Sequence, residues 1–332
     1  MTTGFTKCYL CLALLIALPL LSATQIPPLD DYFVQRYAAD SLMQAADYAA
    51  AAEAYEQCLT HPLHNRQDNY FRTVALIRAG QTEPAKTALR EACEAGMRYP
   101  VADGHLTDST LFVFKDTPFW SEIDRAARAN HQAYAAQHDP SVYELLMQLR
   151  NRLKGAPASY YFMSKDTSKP EIKRKLDSLQ TAMVDDLEYV TSALDSLYRI
   201  GKPPHLNVVG AKGYQWYRSM LLLLPTDWLN RRLPDLWQAV RKGDLRASDY
   251  APLEDQVALG MNVPQRFATQ LVAHPERKEA LLYHPVRDAE LARKARAVCN
   301  LPSIHAQEQR LGRMRGQEIW RSMENRRAFK GN

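Results

Sequence analysis

Apolar side chains recur at threes and fours along most of this chain, the period of one helical face rather than the alternation of a strand. Tyr48, Ala51, Tyr55 and Cys58 fall at i, i+3, i+7 and i+10. Ile172, Leu176, Leu179, Met183, Leu187, Val190, Leu194 and Leu197 mark a long amphipathic helix over about 171–200. Its seam is too short for a coiled coil, so it reads as a core-facing bundle helix that Gly201 and Pro203-Pro204 stop. Residues 211–224, with Trp216, Met220 and Leu221–Leu224, read as a buried core helix, since fourteen residues fall short of a bilayer span. Pro225 ends that helix, and Pro234 is expected to kink the next one, 228–242, or to restart it. Helices are also expected over about 141–153, 248–261, 288–298 and 304–328. Residues 155–170, with Tyr160-Tyr161-Phe162-Met163 among Gly, Pro, Ser and Lys, read as a loop that packs.

An internal repeat stands near the front. Ala46-Asp47-Tyr48 with Ala51, Tyr55 and Cys58 recurs as Gly80-Gln81-Thr82 with Ala85, Leu89 and Ala92, each pair 34 positions apart. Each unit reads as a helix, a tight turn and a second helix whose small residues permit close packing. The spacing resembles the tetratricopeptide repeat over about 37–96. Such arrays need about three units, and 105–138 is expected to supply the helical cap, with Thr117 as N-cap before Pro118-Phe119-Trp120.

Composition agrees with an all-α fold. The 332 residues are 46% hydrophobic and 24% charged, with only 13 glycines, and the helix-favouring Ala, Leu, Arg, Glu and Gln dominate. The first residues change the compartment. Lys7 precedes an apolar run from Cys8 to Leu21, and Leu21-Ser22-Ala23 offers a small residue before Thr24. This is the pattern of a cleaved export signal, so the mature protein is expected in the periplasm or secreted, with no membrane span. Export permits a Cys58–Cys93 disulfide, and the alternative is that Cys58, Cys93 and Cys299 pack as small buried helix residues. The expected organisation is a signal peptide at 1–23, helical repeats at 24–138, a bundle-like domain at 141–305 and a basic C-terminal helix at 306–332. From Arg287 to Asn332 there are eleven Lys/Arg against five Asp/Glu, so the remainder is near neutral. Export and that neutrality argue against a nucleic-acid partner.

Chemistry-bearing motifs are sparse. There is no Gly-x-Ser-x-Gly elbow, no His-Glu-x-x-His pair, no phosphate-binding glycine loop and, past Ala23, no Cys-x-x-Cys. No cofactor or metal site is implied. His61 and His64 flank Pro62, His131 and His138 read as surface residues, and His274 and His284 each precede a proline. The strongest cluster is Asp255, Gln265, Thr269 and Gln270, joined by Lys202 and His205 if their loops converge. A buried carboxylate with amide partners can position a polar ligand, or simply satisfy loop backbone.

Several of these residues lie in recognisable short strings: Gly201-Lys202-Pro203, Val209-Gly210, Leu253-Glu254-Asp255-Gln256, Pro264-Gln265-Arg266-Phe267-Ala268-Thr269-Gln270, Pro285-Val286-Arg287-Asp288 and Asn300-Leu301-Pro302. With them, 141–305 resembles a bacterial domain of unknown function catalogued as DUF 6624, often found in exported proteins and sometimes behind helical repeats. The departures matter. Leu222 and Leu223 stand where the family carries Gln-His, Gln256 where it carries arginine, and Arg150-Asn151 near an expected acidic-amide pair. If the family is enzymatic, its natural acid or base would be that missing imidazole. The resemblance therefore implies a non-catalytic binding or scaffold protein, whose repeats would receive a protein or peptide on their concave face. The alternative is a hydrolase of a cell-envelope or peptide substrate, using Asp255 with Gln265, Gln270 and a histidine such as His205.

Overall fold

The repeated turn fixes the start of the architecture. Ala46 and Gly80 both take left-handed backbone, at φ 61° and 74°, and Asp47 and Gln81 follow with nearly equal angles. The hydrogen bonds repeat at the same offset: Asp47 N–H to the Leu42 carbonyl and Gln81 N–H to the Leu76 carbonyl, Ala51 to Asp47 and Ala85 to Gln81. Ala51, Tyr55 and Cys58 are buried, as are Ala85, Leu89 and Ala92. The computed structural model describes residues 29–97, 101–102, 105–106, 109–153, 170–273 and 281–315. The apolar run Cys8–Leu21, the segment 155–170 expected as a loop (all but Pro170), His274 and the tail past 315 lie outside them.

The fold is all-α. Helices α1 (Leu29–Gln44), α2 (Tyr48–Thr60), α3 (Gln67–Arg78) and α4 (Thr82–Glu94) pack each against the next. A two-residue antiparallel pair, β1 (Val101–Ala102) and β2 (His105–Leu106), and a 3-10 turn, Ser109–Phe114, lead into α5 (Pro118–Ala135). The Thr117 hydroxyl caps α5 by accepting the Trp120 N–H at 3.2 Å, as expected. Then follow α6 (Pro140–Leu153), α7 (Pro170–Arg199), α8 (Leu206–Leu221), α9 (Thr226–Arg241) and α10 (Ala247–Gly260). The strands β3 (Leu271–Ala273) and β4 (Leu281–Tyr283) pair antiparallel, Leu271 opposite Tyr283, before α11 (Ala289–Val298) and α12 (Ile304–Arg315). That small hairpin is a feature the helical periodicity does not announce.

Two boundaries differ from the sequence expectation for physical reasons. Helix α8 starts five residues earlier than 211, but Gly210 breaks it at φ 65°, ψ −179°, a region open essentially to glycine alone. It ends at Leu221, so Leu222 and Leu223 belong to the turn before α9 and are exposed. Pro234 lies inside α9 without ending it. Cys58, Cys93 and Cys299 are free, buried thiols.

One hydrophobic cluster runs through both expected domains, from Leu29 and Tyr32 through Leu146 and Tyr217 to Phe267 and Cys299. The bridge is α1, which packs on α2 and on α11. Phe33 meets Trp237 and Phe267 edge-on, at centroid distances of 5.7 and 5.4 Å. The loop after α2 also docks on the end of α9: Arg66 N–H reaches the Arg241 carbonyl at 3.2 Å, and Arg241 Nε the His64 carbonyl at 2.9 Å. The faces of α1 and α3 around Tyr32, Arg36 and Asp68 are therefore covered by the chain itself. Tyr32, Arg36 and Asp68 there face Trp237, Val298 and Cys299 across a cleft of about 30 Å³, room for about one water.

Candidate functional site

Helix α10 carries Glu254 and Asp255 side by side, and the chain beyond it folds back over both. Asn262 makes the turn in left-handed backbone at φ 53°, which asparagine tolerates. Residues 264–270 then cross the last turns of α10. Asp255 is fully buried. Its Oδ1 accepts the N–H of Arg266 at 2.9 Å and of Phe267 at 3.0 Å, while Oδ2 accepts the N–H and the hydroxyl of Thr269, both at 2.8 Å. Four donors fill the four acceptor positions of a carboxylate. Burial pushes the Asp255 carboxyl up, and those donors pull it back.

The amides are spent in the same way. Gln265 Nε2 donates to the carbonyls of Gln270 at 3.0 Å and His284 at 2.6 Å, and its Oε1 accepts the Gln270 N–H at 2.9 Å. Gln270 Nε2 donates to the Pro252 carbonyl at 3.0 Å. The His284 ring meets the Val263 carbonyl through Nε2 at 2.9 Å. On the far side of the loop stands Arg296, buried to 1% exposure. Its Nη1 donates to the carbonyls of Phe267 at 2.7 Å and Ala268 at 3.2 Å, its Nε to Pro302 at 3.0 Å, and its Nη2 to Pro302 and to Gln307 Oε1. Burial lowers its pKa, against the pull of Tyr283 and Asp255.

Asp255, Gln265, Thr269 and Gln270 thus converge as expected, whereas Lys202 and His205 lie elsewhere. Lys202 pairs with Asp139 at 2.7 Å, and Asp139 caps α6 by accepting the N–H groups of Ser141 and Val142. His205 opens α8, between the rings of Tyr198 and Tyr217. Its Nε2 is 3.3 Å from the Tyr198 hydroxyl, which in turn is 2.6 Å from that of Tyr217. Burial pushes His205 down to about 4, so it is neutral near pH 7. Among the described residues no hydrogen bond, ion pair or ring contact joins His205 to Asp255.

Two ionic clusters escape a reading by motif. Arg266 reaches Asp30 at 2.6 Å and Glu254 at 2.5 Å, and Arg287 reaches Asp30 at 3.1 Å. Burial pushes the Glu254 carboxyl up, and Arg266 opposes it. Between α1 and α3, Arg36 pairs with Asp68 at 2.7 Å and also with Asp40, while the Tyr32 hydroxyl donates to Asp68 at 3.0 Å. Asp40 stands four residues from Arg36 and Glu254 twelve from Arg266, but Asp68 and Asp30 lie tens of residues from the arginines they meet, so no local spacing announces those contacts. An open groove of about 440 Å³ between α7 and α9 is lined by Glu188, Ser192, Asp195, Arg199, Asp227 and Arg231 among others.

Compared with known protein families, curated proteins and solved structures, the chain matches none.

Proposed function

We infer that this is an exported, non-catalytic binding or scaffold protein built on tetratricopeptide-like hairpins, and that its DUF 6624-like segment keeps that family's short motifs as architecture. The observation that carries the reading is the saturation of Asp255. All four acceptor positions hold loop donors, so the carboxylate has none left with which to take a substrate proton. The imidazole the alternative would recruit, His205, is buried against two tyrosines.

With the faces of α1 and α3 around Tyr32, Arg36 and Asp68 covered, we assign the protein or peptide partner to the open side of the same N-terminal segment. Phe112 and Val113 are 45% and 58% exposed there, Trp120 lies edge-on to Phe112, and Lys115 stands over the Phe112 ring. Such an aromatic and cationic patch suits an apolar segment carrying a carboxylate.

The test compares the wild-type chain with Asp255→Asn on a panel of ester, amide and peptidoglycan substrates, with unfolding followed in parallel. Structural use of Asp255 predicts no turnover in either protein and a less stable variant. Turnover by the wild type that disappears in a variant of unchanged stability would establish the hydrolase instead.

A further inference from the structure

The groove of about 440 Å³ between α7 and α9 carries charges that the fold does not use. Its volume falls in the range of about 300–1,000 Å³ usual for ligand clefts. From α7, Glu188, Ser192, Asp195 and Arg199 line it. They stand at i, i+4, i+7 and i+11, one helical face followed over about three turns. The start of α9 forms the other side, with Asp227, Trp228 and Arg231.

Some of these groups are answered within the fold. Arg231 pairs with Asp227 at 3.0 Å. Asp195 Oδ1 accepts from Trp228 Nε1 at 2.9 Å and from Arg232 Nη2 at 2.7 Å, while its Oδ2 takes no donor among the described residues. The two ends of the α7 face are not answered at all. Among the described residues neither the Glu188 carboxylate nor the Arg199 guanidinium meets a partner, and both residues are exposed. Their charges are opposite, and eleven residues separate them. At about 1.5 Å per residue that is about 16 Å along the helix axis. Exposed charges are screened beyond about 8 Å at physiological salt, so the two do not neutralise each other.

We propose that this groove binds an extended peptide segment of about five residues, with a basic group against Glu188 and a carboxylate against Arg199. An extended chain advances about 3.3 Å per residue, so about five residues span the two charges. Between them, the free Asp195 Oδ2 and the Ser192 hydroxyl offer polar groups to a peptide backbone, which carries both donors and acceptors. A partner with charges of one sign would meet a like charge at one end of the face, and such a contact is repulsive. The site is built from α7 and α9, so it does not rest on the assignment of a partner to the Phe112 patch.

The experiment immobilises the full chain and measures binding of capped pentapeptide pools with random central residues and fixed ends: lysine with glutamate, two lysines, or two glutamates. The wild type should retain the lysine–glutamate pool above the other two, and a tripeptide pool with the same mixed ends should show no such preference. Glu188→Lys should lower affinity for the mixed pool about fivefold, the upper end for one exposed ion pair, and move the preference to the two-glutamate pool. Arg199→Glu should move it to the two-lysine pool. Both positions are exposed, and thermal melting establishes that the variants are folded. Equal retention of the three pools by the wild type, or variants that keep the wild-type preference, would overturn the proposal. Binding lost in Phe112→Ala but kept in Glu188→Lys would place the peptide on the 3-10 turn and overturn it equally.

Discussion

Asp255 and Arg296 grip opposite edges of one loop. The carboxylate takes the N–H groups of Arg266, Phe267 and Thr269, and the guanidinium takes the carbonyls of Phe267 and Ala268. The loop so held carries Phe267 into the core against Phe33 of α1. Asp255→Asn keeps one acceptor oxygen but turns an NH₂ towards donors. Leaving buried donors unmatched costs about 2–4 kcal/mol. Urea unfolding should register that loss, and an unchanged midpoint would remove Asp255 from the clamp.

Arg296→Met tests the other jaw. It keeps an unbranched apolar stem but leaves the buried carbonyls of Phe267 and Ala268, and the carbonyl of Pro302, without this donor. A loss of about 2–3 kcal/mol is expected. Because both residues act on one loop, the Asp255→Asn and Arg296→Met losses should not add. A double-mutant cycle should return a coupling of at least about 1 kcal/mol, and strict additivity would mean that the two jaws act on independent structure.

The two jaws also mark what was legible beforehand. Asp255, Gln265, Thr269 and Gln270 could be grouped from sequence because they sit within one turn-and-loop stretch. The partners of Arg296 could not, since they are mostly backbone carbonyls, which every residue carries. The same contrast holds elsewhere. The turns at Ala46 and Gly80 and the Thr117 cap are local, set by residue type and spacing, and they stand where the pattern put them. The docking of α1 on α11, with Arg293 donating to the Tyr37 hydroxyl at 2.5 Å, joins residues 256 positions apart. Nothing in either local pattern encodes such a pairing. Lys202 and His205 were grouped with Asp255 only on condition that their loops converge, and among the described residues their contacts are with Asp139, Tyr198 and Tyr217 instead.

Gly210 is a position where one methyl group should be costly. At φ 65° and ψ −179° it breaks α8, and the His138 ring lies 3.6 Å from where a Cβ would stand. Space is adequate, so backbone strain decides the outcome. Gly210→Ala should cost about 1–3 kcal/mol. Equal melting of variant and wild type would show that α8 relaxes to continuous helix.

Phe33 should be worth more than an ordinary core residue because its ring is shared by both halves of the chain. It contacts Tyr32, Trp237 and Phe267 and is fully buried. Phe33→Ala should cost about 3–5 kcal/mol. Hydrogen exchange should accelerate in α1 and in 264–270 together. Acceleration confined to α1 would mean that the loop stands without its aromatic anchor.

His205 sets a pH dependence whose sign follows from its burial. Desolvation holds the folded imidazole down at about 4, against 6.5 for a free histidine. Between those values the unfolded chain binds a proton that the folded protein refuses, so acid draws the equilibrium towards unfolding. The contribution is fully retained above pH 6.5, declines as pH falls through the window, and has cost about 3 kcal/mol once the folded pKa is passed. His205→Gln has no proton to bind in either state. Its stability at pH 7 should lie below wild type, because the packing against Tyr198 and Tyr217 is lost. That deficit should narrow on moving from pH 7 to pH 4, since only the wild type loses the histidine contribution. Parallel stability curves for the two proteins across that range would mean that the folded imidazole titrates as it does in water, and that the aromatic enclosure does not exclude its charge.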